Sequence, residues 1–140
     1  MAAPLSIRFD PDLLSRLRRR ARTMPGGSVS GLAQRLVDEG LRMAEHPGVV
    51  FKEGPSGRRA ALAYGPDVWE VVKFLREVDE RGPDAVAAAA EVLDVLPNRV
   101  RAAMHYYASY PEEIDAEIEQ ADAESRAAEA AWETEQRLLA

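Results

Sequence analysis

The chain has 140 residues, 46% hydrophobic and 30% charged, with a formal net charge of −6; that length holds one ordinary domain or two very small ones. No apolar run approaches the ~20 residues that cross a bilayer, and residues 1–5 lack a basic stretch leading into an apolar one, so membrane insertion and secretion are not expected and a cytoplasmic location is. The absence of cysteine excludes disulfides and thiolate metal sites.

Charge is unevenly spread. Residues 1–46 hold eight arginines against five acids, a net of +3; residues 47–110 net −1; residues 111–140 hold ten acids against Arg126 and Arg137, a net of −8. A basic head and an acidic tail suit two different partners, with a polyanion at the head. A merely solubilising tail is the plainer alternative.

Leu5-Ser6-Ile7-Arg8-Phe9 alternates with period two, which predicts a strand with Leu5, Ile7 and Phe9 on one face and Ser6 and Arg8 on the other. Asp10-Pro11 predicts the start of a helix. Leu13, Leu14, Leu17 and Ala21 line one side of it, and Arg16, Arg18, Arg19, Arg20 and Arg22 crowd the rest. After the turn Met24-Pro25-Gly26-Gly27, Ser28 predicts the cap of a second helix with a wide apolar stripe: Val29, Leu32, Ala33, Leu36, Val37, Leu41 and Ala44.

A lone strand has no sheet to join, and roughly forty residues cannot hide both stripes internally. A two-fold homodimer solves both problems, with the strands paired antiparallel and the helices interlocked beneath. Ser6 and Arg8 of both chains then stand on an exposed ribbon of a width that fits the major groove. Free amides around Ser28 and Val29 are placed to hold a phosphate. The segment LSIRFDPDLLSRLRRRA…GGSVSGLAQRLVDEGLRM resembles the ribbon-helix-helix family of Arc, MetJ and CopG type, over about a third of the chain. That resemblance implies that Ser6 and Arg8 read bases in operator double-stranded DNA and that Gly27, Ser28 and Val29 clamp its backbone. Pro4 departs from the pattern, since many members carry a third polar ribbon side chain there.

In the middle region, residues 47–110, Val49–Lys52 and Arg59–Ala63 flank Gly54-Pro55-Ser56-Gly57 and predict a short hairpin. Gly65-Pro66-Asp67 opens a helix bearing Val68, Trp69, Val71, Val72, Phe74, Leu75 and Val78, stopped by Gly82-Pro83. Asp84 is the expected cap of an alanine-rich helix reaching Leu93. Asn98–Tyr110 predicts a further helix, with Val100, Ala103, Met104 and Tyr107 inward. The stretch from Ala90 to Val100 has helix-turn-helix spacing, with Asp94 where glycine is usual; aspartate tolerates the left-handed conformation. Arg99 and Arg101 could meet a phosphate, but the acids Glu77, Asp79, Glu80, Asp84, Glu91 and Asp94 favour a structural or protein-binding role. Tyr106, Tyr107 and Tyr110 at this spacing read as core or interface. The hairpin, GPDVWEVV and VRAAMHYYASYPEEIDAEIE resemble a small uncharacterised domain family of bacterial antitoxins, often encoded beside a PIN-like nuclease.

Beyond Pro111, the residues Ile114, Ile118, Ala121, Ser125, Ala128, Trp132 and Leu139 form a thin helical seam. Such a helix frays alone, and on a partner's groove Trp132, Leu138 and Leu139 are its anchors. Similarity to VapB-type antitoxins implies that this arm covers the active site of a PIN-like ribonuclease toxin, with Arg126 or Arg137 entering its carboxylate cluster.

The expected fold is therefore mainly α. A ribbon-helix-helix dimer over residues 1–46, with one strand and two helices per chain, precedes a hairpin and small helix-turn-helix-like domain over 47–110. An acidic C-terminal helix over 111–140 completes it. The expected function is that of a type II antitoxin that autorepresses its operon and neutralises a nuclease; the alternative is a stand-alone CopG-like regulator with a ligand-sensing or oligomerising C-terminal domain. His46 and His105 lack ligand spacing, and there is no nucleophile–base pairing and no GxxxxGK loop. Neither enzymatic activity nor a cofactor is expected.

Overall fold

Asp10-Pro11 opens helix α1, Pro11–Arg22, at a place where proline's missing amide costs nothing. Arg19, Arg20 and Arg22 fall in its last turn, where the helix dipole favours cations. The computed structural model describes residues 3–140; the chain divides into two compact units, one up to Ala44 and the other Glu45–Ala140. In the first unit, the Gly27 amide donates to the Met24 carbonyl at 3.0 Å, closing the turn after α1. A Cβ on Gly27 would sit 2.9 Å from the Met24 Cβ, so the turn is tight enough to require glycine. Ser28 then caps helix α2, Val29–Glu45, its Oγ accepting the Gly31 amide at 3.0 Å.

Among the described residues, Leu17, Ala21 and Leu32 form the buried apolar core of this unit, with Phe9, Met24, Val29 and Ala33 packed around them. One chain was expected to be unable to hide both apolar stripes, and it leaves much of them open. Leu13, Leu36, Val37, Leu41 and Met43 all remain exposed. Buried Glu39, absent from that reading, is partnered by Arg35 at 3.9 Å one turn earlier. The expected strand Leu5–Phe9 is not formed in the single chain: residues 3–10 carry no regular secondary structure, and Leu5 is 83% exposed. The reason is physical, since strand hydrogen bonds need a neighbouring strand and a lone segment has none.

In the second unit, β1 (Val49–Gly54) and β2 (Gly57–Leu62) pair antiparallel from Val49↔Leu62 to Gly54↔Gly57, around the expected Pro55-Ser56 loop. Helix α3 spans Val68–Glu77 and begins with a capping box, the Asp67 amide donating to Glu70 Oε2 at 2.8 Å. It stops well before Gly82-Pro83, because the Arg81 guanidinium takes the carbonyls of Val78, Asp79 and Glu80 at 2.7, 2.9 and 3.0 Å and holds that segment as a loop. Helix α4, Pro83–Val92, is capped by Gly82 with φ 59°, not by Asp84, which lies in the first turn. Helix α5 spans Pro97–Ser109 and α6 Pro111–Leu139.

The core of this unit joins Val49, Ala60 and Leu62 of the hairpin to Val68, Val71 and Val72 of α3. Val86 and Ala89 of α4, Val100, Ala103 and Tyr106 of α5, and Ile114 and Ile118 of α6 complete it. Tyr106, rather than the expected Met104 and Tyr107, occupies the centre of the α5 inward face; Met104 is exposed and Tyr107 half-buried. A tyrosine can sit there because its hydroxyl donates to Glu113 Oε2 at 2.9 Å.

Candidate functional site

Ser6 and Arg8, the expected base readers, both lie exposed on the unpaired segment before α1. Of the expected phosphate clamp, Gly27 spends its amide on Met24, whereas Ser28 Oγ accepts the Gly31 amide and keeps its O–H as a donor. The amides of Val29 and Ser30 open the helix and have no intrahelical acceptor, so Val29 can donate from the helix start beside the Ser28 hydroxyl. Beside it, two shallow depressions share Leu13, Leu17 and Leu36. One, of about 210 Å³, is completed by Phe9, Ala33 and Val37. The other, of about 500 Å³, is rimmed by Arg16, Arg19, Arg20 and Thr23. Together they form an apolar face bordered by arginines.

The stretch from Ala90 to Val100 forms the end of α4, a tight turn and the start of α5. Asp94 adopts φ 54°, the left-handed conformation expected of it, and the Val95 amide reaches back to the Ala90 carbonyl at 3.0 Å. Ala89 and Val100 pack in the core on either side of the turn. Arg99 is half-buried and donates to the Ala63 carbonyl, while Arg101 is exposed. Two features of this region were missed by sequence reasoning. Tyr64 is fully exposed in the left-handed conformation at φ 57°, which nothing in its side chain announces. His46 and His105, far apart in sequence, meet with Nδ1 atoms 3.1 Å apart, so one ring must accept and stay neutral at that atom. His46 also packs edge-on to Tyr106 and Tyr110 at 5.2 and 5.9 Å. Among the described residues no three His, Asp or Glu side chains converge as a metal shell.

Helix α6 has two different halves. The first is buried through Ile114 and Ile118 and latched by polar contacts. Arg76 pairs with Asp115 and also meets the Tyr107 hydroxyl; Lys73 pairs with Asp122; Ser56 donates to Glu124 at 2.9 Å. The Tyr107 hydroxyl and then the Arg76 guanidinium hold the Asp115 carboxyl below its usual range. Arg59 lies 3.3 Å from Glu117 and donates to Gln120 at 3.0 Å. Burial outweighs the attraction of Arg59 and lifts the Glu117 carboxyl to about 7, with the Glu113 and Asp67 charges adding to the rise.

Every residue from Ala123 to Ala140 is exposed, including Trp132, Leu138 and Leu139. Arg126 and Arg137 have no carboxylate partner among the described residues. Eleven residues separate them, three helical turns, so they share one face about 16 Å apart. Trp132 and Leu139 share another face, roughly 120–140° around the helix. The five residues expected to bind a toxin therefore do not form one stripe: the arginines and the apolar seam look in different directions.

No family model matches the chain, and neither the curated proteins nor the solved structures contain a match to it. No helix among the described residues is long and apolar enough to cross a membrane.

Proposed function

We propose that the chain is a DNA-binding antitoxin of ribbon-helix-helix type, dimeric through its first unit and carrying an acidic arm for a PIN-like ribonuclease. One observation carries the reading most: a unit with three buried apolar side chains leaves Leu5, Ile7, Leu13, Leu36, Val37 and Leu41 exposed. A second copy that pairs residues 5–9 antiparallel and lays its helices over Leu13, Leu36 and Val37 would cover what one chain cannot. The ribbon would then present Ser6 and Arg8 from both chains, with the Val29 and Ser30 amides placed for the flanking phosphates.

The arm supports the second half of the reading. An exposed helix with Trp132 at 60% exposure and two arginines without a carboxylate partner among the described residues has the features of a segment completed by a partner. An arginine reaching a carboxylate cluster would neutralise it and compete with its metal ion.

The test is a binding titration with the duplex from upstream of the gene and with random duplex. Arg8→Ala is expected to lower affinity for the specific duplex by about 1–3 kcal/mol and leave random binding nearly unchanged. Equal losses on both would contradict base reading. For the arm, removal of residues 125–140 should abolish inhibition of the neighbouring nuclease while leaving DNA binding intact. Unchanged inhibition would return the chain to the stand-alone regulator.

A further inference from the structure

The acids surrounding Arg99 and Arg101 in sequence argued for a structural helix-turn-helix. In three dimensions the charges sort differently. Helix α5 contains no aspartate or glutamate, whereas α3, α4 and α6 all do. The cations facing α6 are matched to carboxylates: Arg59 to Glu117, Lys73 to Asp122, Arg76 to Asp115. Those on α5 itself and at the turn between β2 and α3 are not, although carboxylate-paired Arg76 also reaches Tyr107 on α5. Lys52 donates to the Gly65 carbonyl at 2.9 Å and Arg99 to the Ala63 carbonyl, both neutral acceptors, and exposed Arg101 has no carboxylate partner among the described residues.

Between the two gripped carbonyls stands Tyr64. Its turn is fixed from several sides, with the Ala63 amide on the Gly48 carbonyl at 3.0 Å and the Gly65 amide on Leu62 at 3.0 Å. A Cβ on Gly65 would press within 3.2 Å of Leu62. The left-handed conformation is strained for a tyrosine as it is not for glycine, and the fully exposed ring recovers none of that strain by packing. An exposed aromatic held at a cost between two un-neutralised cations is a contact residue for an anionic partner.

The outward face of α5 completes the surface. Val100, Ala103 and Tyr106 point into the core, and Asn98, Arg101 and His105 lie exposed at spacings of three and four. The Nδ1 of His105 is engaged by His46, leaving Nε2 as its free nitrogen. Asparagine and arginine are the side chains whose donor and acceptor geometry matches adenine and guanine edges in the major groove.

We propose that the second unit carries a duplex-DNA contact of its own, with α5 directing Asn98, Arg101 and His105 toward bases and Tyr64, Lys52 and Arg99 meeting the phosphate backbone. This contact does not depend on Ser6 and Arg8.

The experiment is selection from a pool of random-sequence duplexes by the full-length protein, followed by titration of the selected duplex with variants. Arg101→Ala is expected to weaken binding about tenfold and to erase specific base positions from the selected motif, with the thermal midpoint unchanged because the side chain is exposed. Arg8→Ala should erase a different set of positions. If Arg8→Ala is silent while Arg101→Ala is not, the head reading falls and this contact stands. If Arg101→Ala and Asn98→Ala leave both motif and affinity unaltered, or the protein prefers a single-stranded RNA pool to duplex, the contact is overturned. Tyr64→Gly separates function from folding: it should keep or raise the thermal midpoint while lowering DNA affinity about threefold. Unchanged affinity in that variant would remove Tyr64 and its flanking cations from the contact.

Discussion

The two units close their cores to different degrees. Glu45–Ala140 gathers thirteen buried side chains from two strands and four helices, and the largest of them, Tyr106, is fully enclosed. The first unit gathers three. Its helices are as well patterned in sequence as α3 or α5, so the deficit lies in the geometry: two helices and an unpaired extended segment have too few surfaces to bury both stripes. Where a sequence pattern supplies more apolar face than the chain can cover, the missing surface belongs to another molecule. For this head the proposed partner is a second copy.

That contrast can be broken at either end. Tyr106→Ala should produce the largest effect, about 3–5 kcal/mol of lost stability by chemical denaturation, because it opens a cavity among His46, Phe51 and Tyr110 and removes the hydroxyl that donates to Glu113. A loss below 1 kcal/mol would mean that the second unit is not the self-sufficient one. Leu36→Ala is the sharper comparison. Its side chain is 46% exposed in the single chain, so an isolated head predicts a change within about 0.5 kcal/mol. A covered head predicts about 1.5–3 kcal/mol per chain, seen as a shift of the dimer dissociation constant in sedimentation.

A smaller effect probes how α6 is held. The Glu117 carboxyl titrates near 7 in the folded chain against 4.5 ordinarily. A raised carboxyl stabilises the fold fully below its unfolded value, and that contribution is lost as pH rises from about 4.5 through 7. Glu117→Gln keeps a hydrogen-bonding group beside Arg59 and should flatten this loss, gaining on the order of 1–3 kcal/mol at pH 8 relative to the parent and little at pH 4. Thermal melts across that range check it, and parallel pH profiles for both proteins would contradict the assignment.

Much of the fold was legible because its signals are local. Asp10-Pro11, Ser28 and Gly54-Pro55-Ser56-Gly57 announce caps and a hairpin through backbone chemistry that acts within a few residues, and Asp94 marked the left-handed turn position. What the sequence concealed is long-range or set by a neighbour. Arg81 ends α3 early by binding its own loop carbonyls, and Gly82 takes the cap expected of Asp84. His46 finds His105 only after the hairpin and four helices have packed. On α5, helical spacing placed Met104 and Tyr107 inward, whereas the structure buries Tyr106, whose hydroxyl finds an acceptor in Glu113. The candidate site was legible as composition, in the arginine-rich head and acidic tail. Its geometry was not: residues 5–9 form no strand in the single chain, and the tail's arginines and Trp132 lie on separate helical faces.

The central claim rests on residues 5–9 becoming a paired ribbon between two copies. Amide hydrogen exchange of those residues, followed across protein concentration with the mass measured in parallel, tests it most directly. The account predicts a species of twice the 15.4 kDa chain mass in which alternate amides between Leu5 and Phe9 are protected, the protection disappearing on dilution and in Leu36→Ala. Rapid exchange throughout this segment at every concentration, in a protein that stays at 15.4 kDa, would contradict it.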